Sequence, residues 1–247
     1  MRITNAKDVT QYYQQEDVAE GYIDKRFTEP LNVIEHQRQV TILNKIIRNN
    51  NIQNVIEFAP GPARLTSELQ IENGISIDAS ESMLTIARRR MNNIGKKWTF
   101  IKDDILNLQY NNKHDLVFSF RFFLHFKSDE RKKIYEQASS VLHPEGLLVF
   151  EVMNKEMVLP LRKLLGKKRY FVYDKLYHKN ELIKELSENG FELVALYPVL
   201  KHFWLQAFFS RPWKICGLQK QAIRSVAFFE KFKTRNPYEW VAVCQKR

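Results

Sequence analysis

Glu57 and Asp78 stand 21 residues apart, and each closes a short run suited to a buried strand, Val55-Ile56-Glu57-Phe58 and Gly74-Ile75-Ser76-Ile77-Asp78. Between them lies Ala59-Pro60-Gly61-Pro62-Ala63, a loop of small and rigid residues that lets backbone approach a ligand closely. Carboxylates at strand ends accept hydrogen bonds from hydroxyls. Strand, small-residue loop, helix, strand, acid is a layout suited to the ribose of a nucleoside. The loop lacks G-x-G-x-x-G and follows an acid, so it departs from the dinucleotide fingerprint. A second group is Ser119-Phe120-Arg121-Phe122-Phe123-Leu124-His125-Phe126, at the end of another apolar run. His125 is the candidate general base, because an imidazole titrates near neutrality; the alternative is a histidine packed between sheet and helix. Arg121 is the candidate for holding a carboxylate or another anion, or else a surface ion pair.

These residues need a sheet to bring them together. Apolar positions at helical spacing (Leu31, Ile34, Val40, Leu43, Ile46, Ile47) predict a helix over 31–48, and 8–28 also reads as helical. Strands are expected at 54–58, 74–78, 98–102, 114–120, 147–152, 191–197 and 239–245. Helices are expected at 65–69, 81–90 with Ser80 as N-cap, 129–142 with Ser128 as N-cap, and 181–189. His143-Pro144-Glu145-Gly146 reads as a turn, and 154–178 as a break in the alternation. The fold class is α/β: a doubly wound, mostly parallel seven-stranded sheet with helices on both faces. One domain is expected over 1–247, with N-terminal helices at 1–50, a core at 51–153, and insertions at 154–180 and 201–236.

Four segments in order resemble the class I S-adenosylmethionine (SAM) methyltransferases. Residues 55–66 resemble the first motif of that family, and Ile77-Asp78-Ala79-Ser80-Glu81-Ser82-Met83-Leu84 its second. Phe100-Ile101-Lys102-Asp103-Asp104-Ile105 and Gln137 to Leu148 resemble two later landmarks. The resemblance implies SAM as cofactor and methyl transfer as activity. It implies that Glu57, Ala59 and Gly61 border the methionine and ribose, and that Asp78 takes the ribose hydroxyls. Ala79 and Met83 would line the adenine, Asp104 would accept from its amino group, and Ile105 would lie beside the ring. Phe120 joins this set at the end of the fourth strand, with Arg121 and His125 facing the transferred methyl. Tyr12, Tyr13 and Tyr22 fall in a leading helix that would form a lid. Tyr170, Tyr173, Tyr177 and His178 fall where the family builds its acceptor pocket. The chain departs from the family where Ala59 and Ala63 replace two glycines, which keeps a catalytically silent scaffold or partner subunit open as an alternative.

Composition bounds the partners. Residues 1–153 carry 20 basic and 20 acidic side chains and balance, whereas residues 154–247 carry 19 and 8 and hold the whole net charge of +11. That excess favours anionic partners. The aromatic, base-flanked run His202 to Lys214 suits the surface of an anionic membrane, RNA, or an apolar cover over an acceptor pocket or subunit contact. The acceptor is expected to be a small molecule, a sugar or a lipid-linked group, modified at oxygen or nitrogen. Nucleic acid ranks lower, because no Asn-Pro-Pro-Tyr follows the fourth strand. No apolar run reaches 18 residues, Met1 to Asp8 is polar, and Cys216 and Cys244 have no metal-binding partners. The expectation is a cytoplasmic protein, free or peripheral to a membrane, without a bound metal.

Overall fold

The computed structural model describes residues 27–166 and 172–247. The predicted helix at 8–28 lies outside them except for Phe27 and Thr28, which are not helical; its tyrosines and Tyr170 lie outside as well. Helix α1 (Pro30–Asn49) starts with proline, whose missing N–H costs nothing in a first turn. It is followed by β1 (Val55–Phe58), β2 (Asn73–Asp78), α2 (Glu81–Asn93), β3 (Lys97–Lys102) and β4 (His114–Ser119). Then come α3 (Ser128–Val141), β5 (Leu142–Asn154), α4 (Lys155–Leu165), β6 (Leu176–Tyr177) and α5 (Lys179–Glu188). The chain finishes with β7 (Phe191–Val199), α6 (Phe203–Ile215), α7 (Gln219–Phe229) and β8 (Glu239–Lys246).

The strands run in the order β3-β2-β1-β4-β5-β8-β7, and the short β6 pairs with β5 off that path. The β1, β2, β3, β4 and β5 ladders are parallel; β8 is antiparallel to both β5 and β7. Alternation along each strand feeds two cores. Ile56, Val117, Leu148, Phe150 and Ala242 pack under α3 and α5 with Ile134, Tyr135 and Leu182. Val55, Leu116, Phe118, Val149 and Val241 pack under α1 with Ile34, Leu43 and Ile46. A period of two with both faces apolar is what a doubly covered sheet demands.

The structure corrects several sequence expectations. Residues 65–69 form no α-helix, only a 3-10 turn at Thr66–Glu68. The residues before it are wound the wrong way for a helix, with Ala59, Gly61 and Ala63 at φ of 54°, 54° and 55°. The segment 154–178 contains α4 and β6, so among the described residues the short β6 joins the seven expected strands as an eighth. Asn154 caps α4 by accepting from the Glu156 N–H, and Val158 and Leu161 supply its buried stripe, which the surrounding lysines and arginines mask. His143–Gly146 lies within β5, but β4 pairs His114 with Leu142 and Leu116 with Leu147, so these four residues bulge out of the ladder much as a turn would. Lys127, not Ser128, is the N-cap of α3.

Candidate functional site

At the carboxyl ends of β1, β2 and β4 the sheet opens into a cleft of about 950 Å³, continuous with solvent. Ligand clefts in open α/β sheets lie at this edge. The eleven residues assigned to the cofactor and to catalysis line it: Glu57, Ala59, Gly61, Asp78, Ala79, Met83, Asp104, Ile105, Phe120, Arg121 and His125.

Asp78 ties two of its walls together. Its Oδ2 accepts from the Gly61 N–H at 3.1 Å and its Oδ1 from the Ser80 N–H at 2.8 Å. A carboxylate offers about four acceptor sites, so Asp78 keeps capacity for a ligand hydroxyl. Burial pushes its carboxyl up to about 6 against backbone hydrogen bonds from Ser80, Gly61 and Ala79. Ser80 caps α2 by accepting from the Met83 N–H at 3.3 Å, which sets Met83 against the cleft. Gly61 has φ +54°, and a Cβ built there meets nothing closer than Met83 Sδ at 4.0 Å. Its need for glycine therefore comes from the backbone rather than from crowding. Ala59 (φ 54°) and Arg121 (φ 61°) hold the same left-handed conformation without being glycine. Strain of this kind, roughly 1–2 kcal/mol per residue, gathers at this edge of the sheet.

Glu57 lies deeper. It accepts from the hydroxyls of Thr66 and, at 3.2 Å, of Ser76. Burial raises its carboxyl to about 7 although these hydroxyls and the Arg64 charge pull the other way. Asp104 plays two parts, lining the cleft while capping the turn Ile105–Asn107 through the Leu106 N–H at 3.0 Å.

On the opposite wall, His125 is buried, and its Nδ1 lies 2.9 Å from Asp174 Oδ1 and 3.1 Å from the Tyr173 carbonyl oxygen. Two acceptors at one nitrogen assign a ring proton to Nδ1, and Nε2 is the nitrogen left to exchange a proton with a ligand. Asp174 is also bridged to Arg162. Burial alone would raise the Asp174 carboxyl, but the His125 hydrogen bond and charge, with Arg121 and Arg162, hold it at about 2. Arg121 donates its backbone N–H to Glu151 Oε1 at 2.8 Å, with its guanidinium 3.9 Å from the same oxygen.

Behind the cleft, under α1, is a buried network that sequence reasoning missed. Glu35, Glu151 and Glu239 present carboxylate oxygens within 4.8 Å of one another. Gln39 donates to Glu239 at 2.8 Å and accepts from Arg64 at 2.8 Å. Arg64 stacks over Phe27 at 4.1 Å, contacts His36 Nδ1 at 2.6 Å and reaches the cleft. Burial, with the charges of Glu35 and Glu151, raises Glu239 well above the usual carboxylate range. Burial raises Glu151 to about 7, with Arg121 opposing. Three acids face two arginines here, and protonation settles the excess. Glu151 and Glu239 meet only through the β5–β8 pairing, and no spacing in the sequence announces that. Asp174 was hidden among the tyrosines of its segment. Tyr177 turns away into the α3–α5 core, donating to Glu185 at 2.6 Å, and His178 caps α5; neither lines the cleft.

Residues 55–146 match the model of a methyltransferase domain. With this sheet order, they have the fold of solved SAM-dependent methyltransferases. Among particular relatives, the chain is 31% identical over 122 residues to an uncharacterized methyltransferase of Oceanobacillus iheyensis, covering 48% of this chain and 54% of that one. It is 29% identical over 115 residues to carboxy-S-adenosyl-L-methionine synthase of Wolinella succinogenes, covering 45% and 46%. The chain thus spans about half the length of the curated relatives it matches. Magnesium protoporphyrin IX methyltransferase of Synechocystis PCC 6803, solved with bound S-adenosylhomocysteine (SAH), superposes with a TM-score of 0.69 at 15% identity, over 98% of this chain and all of that one. That is a likeness of fold.

Proposed function

We propose that this protein transfers a methyl group from SAM to an oxygen or nitrogen of a small-molecule, sugar or lipid-linked acceptor. The observation that carries the reading is the convergence of Asp78, Glu57 and the His125–Asp174 pair on one cleft at the carboxyl edge of the sheet. The donor set fits the cofactor: a carboxylate with spare acceptor capacity for vicinal hydroxyls, apolar walls from Met83, Ile105 and Phe120 for a flat base, and a loop whose Gly61 leaves backbone accessible. When bound, SAM supplies a sulfonium-activated methyl. The chain has to orient the acceptor within about 3–3.5 Å of that carbon and, for a hydroxyl, take its proton.

In this reading Asp78 holds the ribose and Asp104 the adenine amino group. His125 is the proton acceptor, Asp174 fixes its tautomer, and Arg121 orients a carboxylate or another anionic group. Support for the base comes from the two acceptors at Nδ1, which place a proton there and leave Nε2 as the nitrogen to take the acceptor's proton. The test is methyl transfer from isotopically labelled SAM to a panel of small-molecule, glycosyl and lipid acceptors. His125→Ala is expected to lower turnover on an active acceptor by about a hundredfold while SAH affinity stays within twofold. Asp174→Asn is expected to shift the pH profile of turnover. Transfer to no acceptor despite tight SAH binding would direct the reading to the partner-subunit alternative.

A further inference from the structure

We infer that the α6–α7 hairpin is a docking face for an anionic lipid bilayer. Helix α6 is inside out. Its buried residues are Gln206 and Ser210, with Gln206 fully covered, while Phe208 and Ile215 are 70% and 78% exposed. Trp204, Leu205, Phe209 and Trp213 are exposed beside them, and Phe228 and Phe232 continue the apolar surface across α7. The inversion is locked in place. Gln206 Nε2 donates to the Val226 carbonyl at 3.1 Å and to Glu230 Oε1 at 2.8 Å, and Glu230 also accepts from the Lys201 N–H at 2.8 Å. Rotating α6 to hide its aromatics would strand these buried polar groups at about 1–3 kcal/mol each. An apolar face this continuous marks an interaction surface.

Charge selects the occupant. Residues 201–236 carry eight lysines and arginines and a single acid, Glu230, which is buried in the network just described. Arg211, Lys214, Lys220, Arg224, Lys231 and Lys233 are all exposed around the apolar face. Two copies joined through this face would bring like charges together. An RNA strand would find phosphate contacts and some stacking rings, but nothing for Leu205 and Ile215. An anionic bilayer uses both properties, apolar side chains entering the headgroup boundary while lysines and arginines meet lipid phosphates. At 13 residues α6 is about 20 Å long, short of the ~30 Å hydrocarbon core, so it lies in the plane of the surface. Among the described residues no helix is long and apolar enough to cross a membrane. The hairpin joins β7 to β8, leaving and re-entering the sheet at the carboxyl edge that also holds the cleft.

The test is flotation of the purified full chain with vesicles of phosphatidylcholine alone and of phosphatidylcholine mixed with phosphatidylglycerol. The expected result is binding to the anionic vesicles, weakened by salt. It should fall about tenfold in Phe208→Ser/Ile215→Ser and about tenfold in Lys231→Glu/Lys233→Glu. SAH affinity and melting temperature should be unchanged in both variants, since all four side chains are exposed and lie outside the cleft. No binding to anionic vesicles, or binding indifferent to either variant, would overturn the inference. So would a concentration-dependent dimer, or tight RNA binding, that the first variant abolishes. Docking needs no cofactor, so its failure and that of methyl transfer are read separately.

Discussion

Helix α2 and helix α6 are both 13 residues long and both amphipathic, yet they face opposite ways. Helix α2 turns Met83, Leu84, Ala87 and Met91 inward, whereas α6 turns Gln206 and Ser210 inward and leaves its tryptophans and phenylalanines at the surface. Around α2 the protein completes its own packing and needs only a small ligand in the adjoining cleft. Around α6 it completes its own hydrogen bonds and leaves the apolar packing to something outside the chain. The first half is electrically balanced and the second carries the whole basic excess, so the two regions call on different partners.

The largest effect expected from this contrast is in the core. Leu84→Ala, at a fully buried site on α2, should cost about 2–5 kcal/mol in urea unfolding. Next comes pH. Glu57 and Glu151, each held up to about 7, and Glu239, raised well above the usual carboxylate range, keep their protons longer in the folded than in the unfolded chain. Their contribution is full below the ordinary glutamate range and is lost as pH climbs through about 7. The melting temperature should therefore fall by on the order of 5–10 °C between pH 5 and pH 8. Asp174, held at about 2, works in the opposite sense and loses its contribution only in strong acid. A melting temperature that rises from pH 5 to pH 8 would contradict the protonated network.

On α6 the cost should follow the polar residues. Gln206→Leu adds apolar surface yet should destabilise by about 1–3 kcal/mol, because Val226 O and Glu230 lose a buried donor. Smaller again is the loop after β1. Ala59→Gly at φ 54° should stabilise by about 0.5–1 kcal/mol by relieving a left-handed alanine. Ala63→Gly should come out near zero, since its fully buried methyl contributes about 0.8 kcal/mol that offsets the same relief. The smallest effect is at the exposed Phe208, where serine should change folding stability by less than about 0.5 kcal/mol. A large loss there would mean that the outer face of α6 packs within the protein.

The sequence was most legible where chemistry and periodicity coincide. Glu57, Asp78 and His125 end or follow apolar runs, and strand ends in a parallel sheet share one edge, so their convergence could be read in advance. The apolar run His114 to Phe120 likewise announced a central strand covered on both faces. The turn at Thr66–Glu68 was misread because Leu65 and Leu69 have helical spacing, while the left-handed Ala59 and Ala63 that prevent the helix carry no local signature. Arg64 was passed over because an arginine after a loop usually meets solvent; its partners Gln39 and His36 come from a helix some 25 residues earlier. The run His202 to Lys214 was legible as aromatic and basic but not as a helix, and which of its faces turns inward rests on Val226 and Glu230 beyond it.

The central claim is that the cleft beside Asp78 takes an adenosyl cofactor, and a calorimetric titration with SAH tests it most directly. The account predicts one-to-one binding in the micromolar range to the wild-type chain. Affinity should fall about tenfold per pH unit below about 6 as Asp78 takes up its proton, and on the order of a hundredfold in Asp78→Ala, whose fold should be retained. No heat of binding at millimolar SAH, or equal affinity in wild type and Asp78→Ala, would contradict it.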